Sequence, residues 1–107
     1  MKTAIGYIRV STEQQANEGV SLEAQRARIV KWCADNGYEL VNTFEDAGVS
    51  GALSIAERDG LSDALAALKK GMALVVTKRD RLSRDYVEAG LIDRECAKLK
   101  AKVMVTD

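Results

Sequence analysis

The chain has 107 residues, with 16 basic and 16 acidic side chains, no histidine and no proline. This length suits a single domain, and a composition of 47% hydrophobic and 30% charged residues excludes a disordered chain. Because the charges balance, the domain as a whole does not attract nucleic acid, and any polyanion must be bound by a local group of residues.

The sequence contains no segment typical of membrane insertion or export. No apolar run approaches the roughly 20 residues of a membrane span, and the apolar stretch at the N-terminus is too short for a signal peptide. We therefore expect a cytoplasmic protein with no membrane partner. Cys33 and Cys96 lack CxxC spacing, so we expect buried, reduced thiols and no metal centre.

The first half of the chain predicts strand, helix and strand. The apolar residues 4–10 form the first predicted strand. A helix is predicted over 21–37, with Ser21 as its N-cap and Gly37 as its end. Residues 38–44 form the second predicted strand. The predicted buried face of the helix consists of Leu22, Ile29, Val30 and Cys33.

The second half continues the alternation. A helix is predicted over 60–71 with Asp59 as its N-cap, and the unbroken apolar run 72–77 is typical of a central strand. A third helix over 84–101 and a fourth strand over 102–106 follow. This order predicts an α/β fold, an open, mainly parallel β-sheet with helices on both faces.

Ligands of an open parallel sheet bind outside the carboxyl ends of its strands. At these ends the sequence places Asp46, after the second strand, and an arginine-rich loop at 78–84, after the third. Side chains alternate along a strand, so Tyr7, Arg9 and Ser11 share one face of the first strand. We expect this edge to hold a serine hydroxyl surrounded by arginines.

Each of these features also has a purely structural interpretation. Ser11 or Thr12 could cap a helical turn, because Thr12 and Gln15 match a capping box. The loop 78–84 could be a solvated surface. Arg9 must be paired if it is buried. Two carboxylates could serve as its partner, Asp46 and Asp80.

The residue types restrict the kinds of catalysis that the chain can perform. Without histidine the chain cannot form a Ser-His-Asp triad, and it has neither a Walker motif nor GxGxxG. A serine that attacks a phosphate ester fits, because guanidinium groups bind phosphoryl oxygens in bidentate fashion and stabilise the charge that develops. A positive field also lowers the cost of forming a serine alkoxide.

Four segments occur in the order of one known family. They are GYIRVSTEQQ, EGVSLEAQ, EDAGVSGALSIAERDGL and VVTKRDRLSRD. Together they resemble the catalytic domain of the serine site-specific recombinases, the resolvase/invertase family, over nearly the whole chain. The long EQQANEGVSLEAQ segment is more similar to the large serine recombinases, which include phage and transposon integrases.

The resemblance implies a DNA strand exchange enzyme that needs neither a metal nor another cofactor. In this family a serine attacks a backbone phosphate, forms a 5′-phosphoseryl bond, releases a 3′ hydroxyl and later religates the strands. The implied partners are double-stranded DNA and further copies of the protein in a dimer or tetramer. The implied setting is the nucleoid of a bacterial cell, with a bacterial or phage gene as the source.

The resemblance also implies the residues of the active site. Ser11 matches the nucleophile, and the other catalytic positions are Arg9, Arg58, Asp80, Arg81 and Arg84. Residues expected to support the site are Tyr7, Gln15, Gln25, Asp46 and Ser50. Arg58 and Gln25 are implied by the resemblance alone. A lysine found in some small resolvases is replaced by Ala67 and is left out of the set.

The sequence ends directly after a predicted strand, whereas the family continues into a dimerisation helix and a DNA-binding domain. We therefore expect residues 1–107 to be a catalytic-domain fragment. Two other functions stay open, a catalytically inactive assembly partner and a phosphoanion-binding regulatory module of the receiver type. Receiver domains place an acidic pair after the first strand, where this chain has RVST.

Overall fold

The computed structural model describes residues 2–11, 21–50, 53–82 and 86–106. Within these residues four strands alternate with three α-helices: β1 (Lys2–Val10), α1 (Leu22–Asp35), β2 (Tyr38–Ala47), α2 (Asp59–Ala67), β3 (Ala73–Val76), α3 (Tyr86–Lys98) and β4 (Lys102–Val105). All neighbouring strands are parallel, in the order β2-β1-β3-β4. None of the described helices is long and apolar enough to cross a membrane. The predicted α/β fold is confirmed.

Alternation along β1 divides the core into two halves. Tyr7 belongs to a cluster with Leu61 of α2 and Ile92 of α3, on one face of the sheet. Ile8 belongs to a second cluster with Ile29 of α1, on the opposite face. The helices therefore cover both faces as predicted, and β1 is buried between them from Ala4 to Val10.

Local sequence signals correctly predict both ends of α1 but not the start of α2. Ser21 caps α1 as predicted, since its hydroxyl accepts a hydrogen bond from Ala24 N at 3.1 Å. Gly37 follows the helix with a left-handed φ of 74°. The prediction for α2 is wrong, because Asp59 is its first helical residue and Arg58 occupies the N-cap position without a side-chain cap.

Three further sequence predictions need correction. β2 continues three residues beyond the predicted end at Phe44, so Asp46 lies within the strand. Val30, predicted to face the core, is 51% exposed because the inner stripe of α1 is taken by Gln25, Ile29 and Cys33. The third helix, predicted to continue to residue 101, ends at Lys98, and Leu99 beyond it is 38% exposed.

Both cysteines are buried and unpaired, as predicted. Burial, with smaller contributions from the nearby charges of Asp93 and Glu95, raises the pKa of Cys96 to about 11. Burial also raises the pKa of Cys33. Neither thiol therefore forms a thiolate readily at neutral pH, and both act as packing residues.

Candidate active site

Three arginines converge at the carboxyl edge of the sheet. Arg9 lies near the end of β1, Arg58 directly precedes α2, and Arg81 ends a short turn that follows β3. Arg9 and Arg58 are both 0% exposed, and Arg81 is 2% exposed. Their clustering requires a fold that brings together residues 72 positions apart.

The main-chain carbonyl of Arg81 orients two of these guanidinium groups. Arg9 Nε donates to this oxygen at 3.1 Å, and Arg58 Nη1 donates to the same oxygen at 3.3 Å. Arg9 Nη1 also donates to the carbonyl of Val49 at 2.8 Å. These main-chain oxygens orient the guanidinium groups, and a carbonyl group itself carries no net charge.

Gln25 fixes the backbone just before Ser11. Its side-chain oxygen accepts from Arg9 N at 3.2 Å, and its side-chain nitrogen donates to Arg9 O at 3.0 Å. The pairing of β1 with β3 ends at Gly6, so the Gln25 amide supplies hydrogen bonds that a neighbouring strand would otherwise supply. Ser11, two residues farther on, is half-buried at the end of the strand.

Asp46 connects β1, β2 and α2. Its carboxylate accepts from the Tyr7 hydroxyl at 2.7 Å, from Gly60 N at 2.8 Å and from Leu61 N at 3.0 Å. A carboxylate at the N-terminus of a helix is favourable because the first N–H groups have no partner within the helix. Asp46 therefore caps α2 from another element, in place of the predicted local cap.

The hydroxyl of Tyr7 is held in its neutral form. Burial is the largest cause that raises the pKa of Tyr7, and the hydrogen bond to Asp46 and its charge raise it further. The positive charges of Arg58 and Arg9 oppose this rise only in part. Tyr7 therefore acts as a hydrogen-bond donor to Asp46 and not as a base.

We expect Tyr7→Phe to change how stability depends on alkaline pH. Above about pH 10 a tyrosine ionises in the unfolded chain but Tyr7 stays protonated in the folded one, so the free energy of unfolding falls by up to about 1.4 kcal/mol per pH unit. The variant lacks this term and should lose stability less steeply. Urea denaturation at several values between pH 8 and 11 measures the two slopes, and equal slopes would contradict the assignment.

The structure describes one of the other predicted site residues fully, one in part and two not at all. The segment that contains Ser50 lies beside the end of β1, where Val49 N donates to Val10 O at 3.1 Å, and Ser50 itself is exposed. The backbone of Asp80 belongs to the turn that ends at Arg81, but its side chain lies outside the described part. Arg84 and Gln15 also lie outside the described residues.

Sequence reasoning did not identify the main-chain groups that organise the site. The carbonyls of Val49 and Arg81 have no sequence signature, since any residue carries one. Gly60 was also missed, because a single glycine within a helical pattern does not by itself show that another backbone approaches it.

A serine two residues from a buried arginine, at the carboxyl edge of a parallel sheet, is suited to phosphoryl transfer through its hydroxyl. Comparison with known proteins identifies the family. The family model described as "Resolvase, N terminal domain" matches residues 4–107. The chain belongs to this family, and it is the catalytic domain of a serine recombinase, an enzyme of site-specific recombination.

Solved structures agree with this assignment. The N-terminal catalytic domain of TP901-1 integrase is 32% identical, with a TM-score of 0.84 over 98% of this chain and 78% of that one. A resolvase family site-specific recombinase from Streptococcus pneumoniae is 28% identical, with a TM-score of 0.76 over 99% of this chain and 72% of that one.

A curated relative comes from a phage. The "Uncharacterized immunity region protein 3" of Bacillus phage phi105 is 41% identical over 44 residues, which are 41% of this chain. The matched segment spans about half of that relative's length, 54%.

Proposed function

We propose that Ser11 is the nucleophile that attacks a phosphodiester of double-stranded DNA. The observation that supports the proposal is that the buried guanidinium group of Arg58 is only partly hydrogen-bonded within the described residues. Its Nε and Nη2 atoms are buried and have no hydrogen-bond acceptor within the described part of the chain. Buried donors without an acceptor are unfavourable, and a buried charge more so. A bound phosphate would supply both acceptors and the opposite charge.

Arg9 and Arg81 extend this positive region toward Ser11. Their charge favours the alkoxide form of the serine and the extra negative charge of the transition state. Arg84 and Asp80 join the proposed catalytic set by resemblance to the family, with Asp80 orienting the arginines. Gln25, Asp46 and Tyr7 support the site through the contacts described above, and Gln15 and Ser50 are assigned to it by resemblance.

In the proposed step the Ser11 Oγ atom forms a bond to phosphorus and the bond from phosphorus to the 3′ oxygen breaks. The serine proton is lost and the departing 3′ oxygen gains one, so a free 3′ hydroxyl results. The 5′ end stays attached to Ser11 as a phosphoseryl ester. One ester replaces another, and therefore the strands can be rejoined by the reverse step without ATP or a metal.

Family membership implies DNA binding and oligomerisation in general. We further propose that four copies act together. Exchange between two duplexes breaks four strands, and each break needs its own serine. Because the substrate is DNA, the proposed place of action is the nucleoid.

The test is trapping of the covalent intermediate. A pool of duplexes with randomised centres is incubated with the chain, and also with the chain joined to the dimerisation helix and DNA-binding domain of a family member. Protein-bound DNA is recovered after denaturation and sequenced. We expect adducts with a 5′ attachment from the wild type and none from Ser11→Ala, a loss of more than about 10³-fold.

Ser11→Ala should retain the DNA affinity and the urea midpoint of the wild type, because only one hydroxyl is removed. Absence of any adduct from a wild type that binds DNA would reject the nucleophile assignment. The chain would then be better described as an inactive assembly partner.

A further inference from the structure

Gly60 lies where α2 meets the backbone of β2. A Cβ atom built on Gly60 would lie 2.3 Å from Glu45 O, 2.7 Å from the Glu45 carbonyl carbon and 2.9 Å from Asp46 Cγ. Real Cβ atoms essentially never lie within 3.0 Å of such atoms. Two of these three contacts are to backbone, which cannot rotate aside. Any side chain at position 60 therefore moves α2 away from β2.

The same contact determines where Arg58 stands. Asp46 receives the N–H groups of Gly60 and Leu61, so α2 is held against β2 at its first turn. Arg58 is part of that turn, because its carbonyl accepts from Ser62 N at 2.9 Å. A displacement of the turn is consequently a displacement of Arg58.

Arg58 has little freedom to compensate for such a displacement. Its side chain is fully buried, and its hydrogen bond to Arg81 O is already 3.3 Å long. Moving α2 outward would lengthen that bond and withdraw the guanidinium from Arg9, which donates to the same oxygen. The two groups could then no longer bind one phosphate together.

We propose that Gly60 is a positioning residue of the phosphate site. Its missing side chain lets α2 approach β2 closely enough for Arg58 to reach the phosphate that Arg9 contacts. The proposal rests on the proposed function in assigning Arg58 to phosphate binding. A misplacement of about 1 Å typically lowers the rate on the order of 10²-fold.

The first test compares Gly60→Ala with Gly90→Ala. Gly90 lies in α3 and is exposed, and a Cβ atom added there would meet no described neighbour within 4 Å, so both variants make the same change in a helix. We expect Gly60→Ala to lower the rate of adduct formation about 10²-fold at saturating DNA. Gly90→Ala should leave the rate unchanged. Equal rates for the two variants would overturn the proposal.

A double-mutant cycle separates positioning from general damage to the fold. If Gly60 acts through Arg58, Gly60→Ala should change the residual rate of Arg58→Met less than about twofold. The same loss in both backgrounds would show that Gly60 acts in another way.

A second measurement does not depend on activity. The Nε–H signal of Arg58 is followed by NMR while inorganic phosphate is added. In the wild type and in Gly90→Ala we expect the signal to move, and in Gly60→Ala we expect a different starting position and affinity weaker by about tenfold or more. Identical titrations would overturn the positioning role.

This measurement also distinguishes the two proposals. A wild-type signal that ignores phosphate, with no adduct formed, rejects the proposed function, while a shifted starting position in Gly60→Ala still supports the positioning role. If Gly60→Ala does not fold, Asp46→Asn weakens the same contact without adding a non-hydrogen atom. It should move the Arg58 signal as well, and an unmoved signal would count against the proposal.

Discussion

Replacement of Arg58 by methionine should make the protein more stable and much less active. The guanidinium is fully buried, with two nitrogens that have no acceptor in the described part of the chain, so its charge is poorly compensated when no phosphate is bound. Methionine keeps most of the apolar length and removes the charge, which should add about 1–3 kcal/mol to the free energy of unfolding. The rate of adduct formation should fall about 10²–10³-fold.

Urea denaturation and adduct trapping measure the two effects, and Arg26→Met is the matched control. Arg26 pairs with Glu45 at 3.0 Å, and both side chains are about half exposed, so its loss should change stability by less than about 1 kcal/mol. It should not change the rate. A destabilisation of several kcal/mol by Arg58→Met would mean that Arg58 stabilises the fold and is not kept for binding an anion.

Asp46→Ala should be the most destabilising single change at the site. It removes the acceptor of three buried donors, the Tyr7 hydroxyl and the N–H groups of Gly60 and Leu61. Each unsatisfied donor costs about 1–3 kcal/mol, and loss of a helix cap alone costs about 1 kcal/mol. We expect a total of about 3–5 kcal/mol by urea denaturation, with phosphate binding by Arg58 weakened as well.

Two control variants are compared with Asp46→Ala for their loss of stability. Asp46→Asn keeps one oxygen acceptor and should cost less than Asp46→Ala. Asp93→Ala removes an exposed carboxylate that pairs with Arg79 at 3.3 Å and should cost less than about 1 kcal/mol. If Asp46→Ala costs no more than Asp93→Ala, water replaces the carboxylate and Asp46 does not hold α2 in place.

The sequence predicted those features that depend on local periodicity. Apolar runs marked all four strands, and alternation along β1 correctly placed Tyr7 and Ile8 on opposite faces. Ser21 and Gly37 marked the ends of α1 because capping and left-handed turns involve only neighbouring residues. The carboxyl-edge rule correctly brought Arg9 and Arg81 together, while the binding of a ligand there stays a prediction.

Features that depend on distant residues could not be predicted this way. Asp59 resembles a local cap, but Asp46 caps α2 from a strand, and no spacing rule connects β2 to that helix end. The contacts of the Arg9 side chain to the carbonyls of Arg81 and Val49 were not predicted, because a main-chain acceptor has no sequence signature. Its expected pairing with Asp46 or Asp80 stays a prediction. Val30 was wrongly assigned to the buried face of α1, because periodicity identifies an apolar stripe on a helix but does not tell how wide its buried part is.

The strand order has a consequence for how the protein folds during its synthesis. β1 is synthesised first, yet in the sheet it lies between β2 and β3, and its Arg9 is oriented by a carbonyl 72 residues farther along the chain. Contacts of such long range form late, and a chain emerging from the ribosome folds only what has already been made. A nascent chain that has not yet reached Arg81 thus carries Ser11 without its ordered guanidinium groups. If Ser11 is the nucleophile that we propose, it meets the arginines expected to activate it only after Arg81 has been synthesised, so a shorter nascent chain presents no assembled site to DNA.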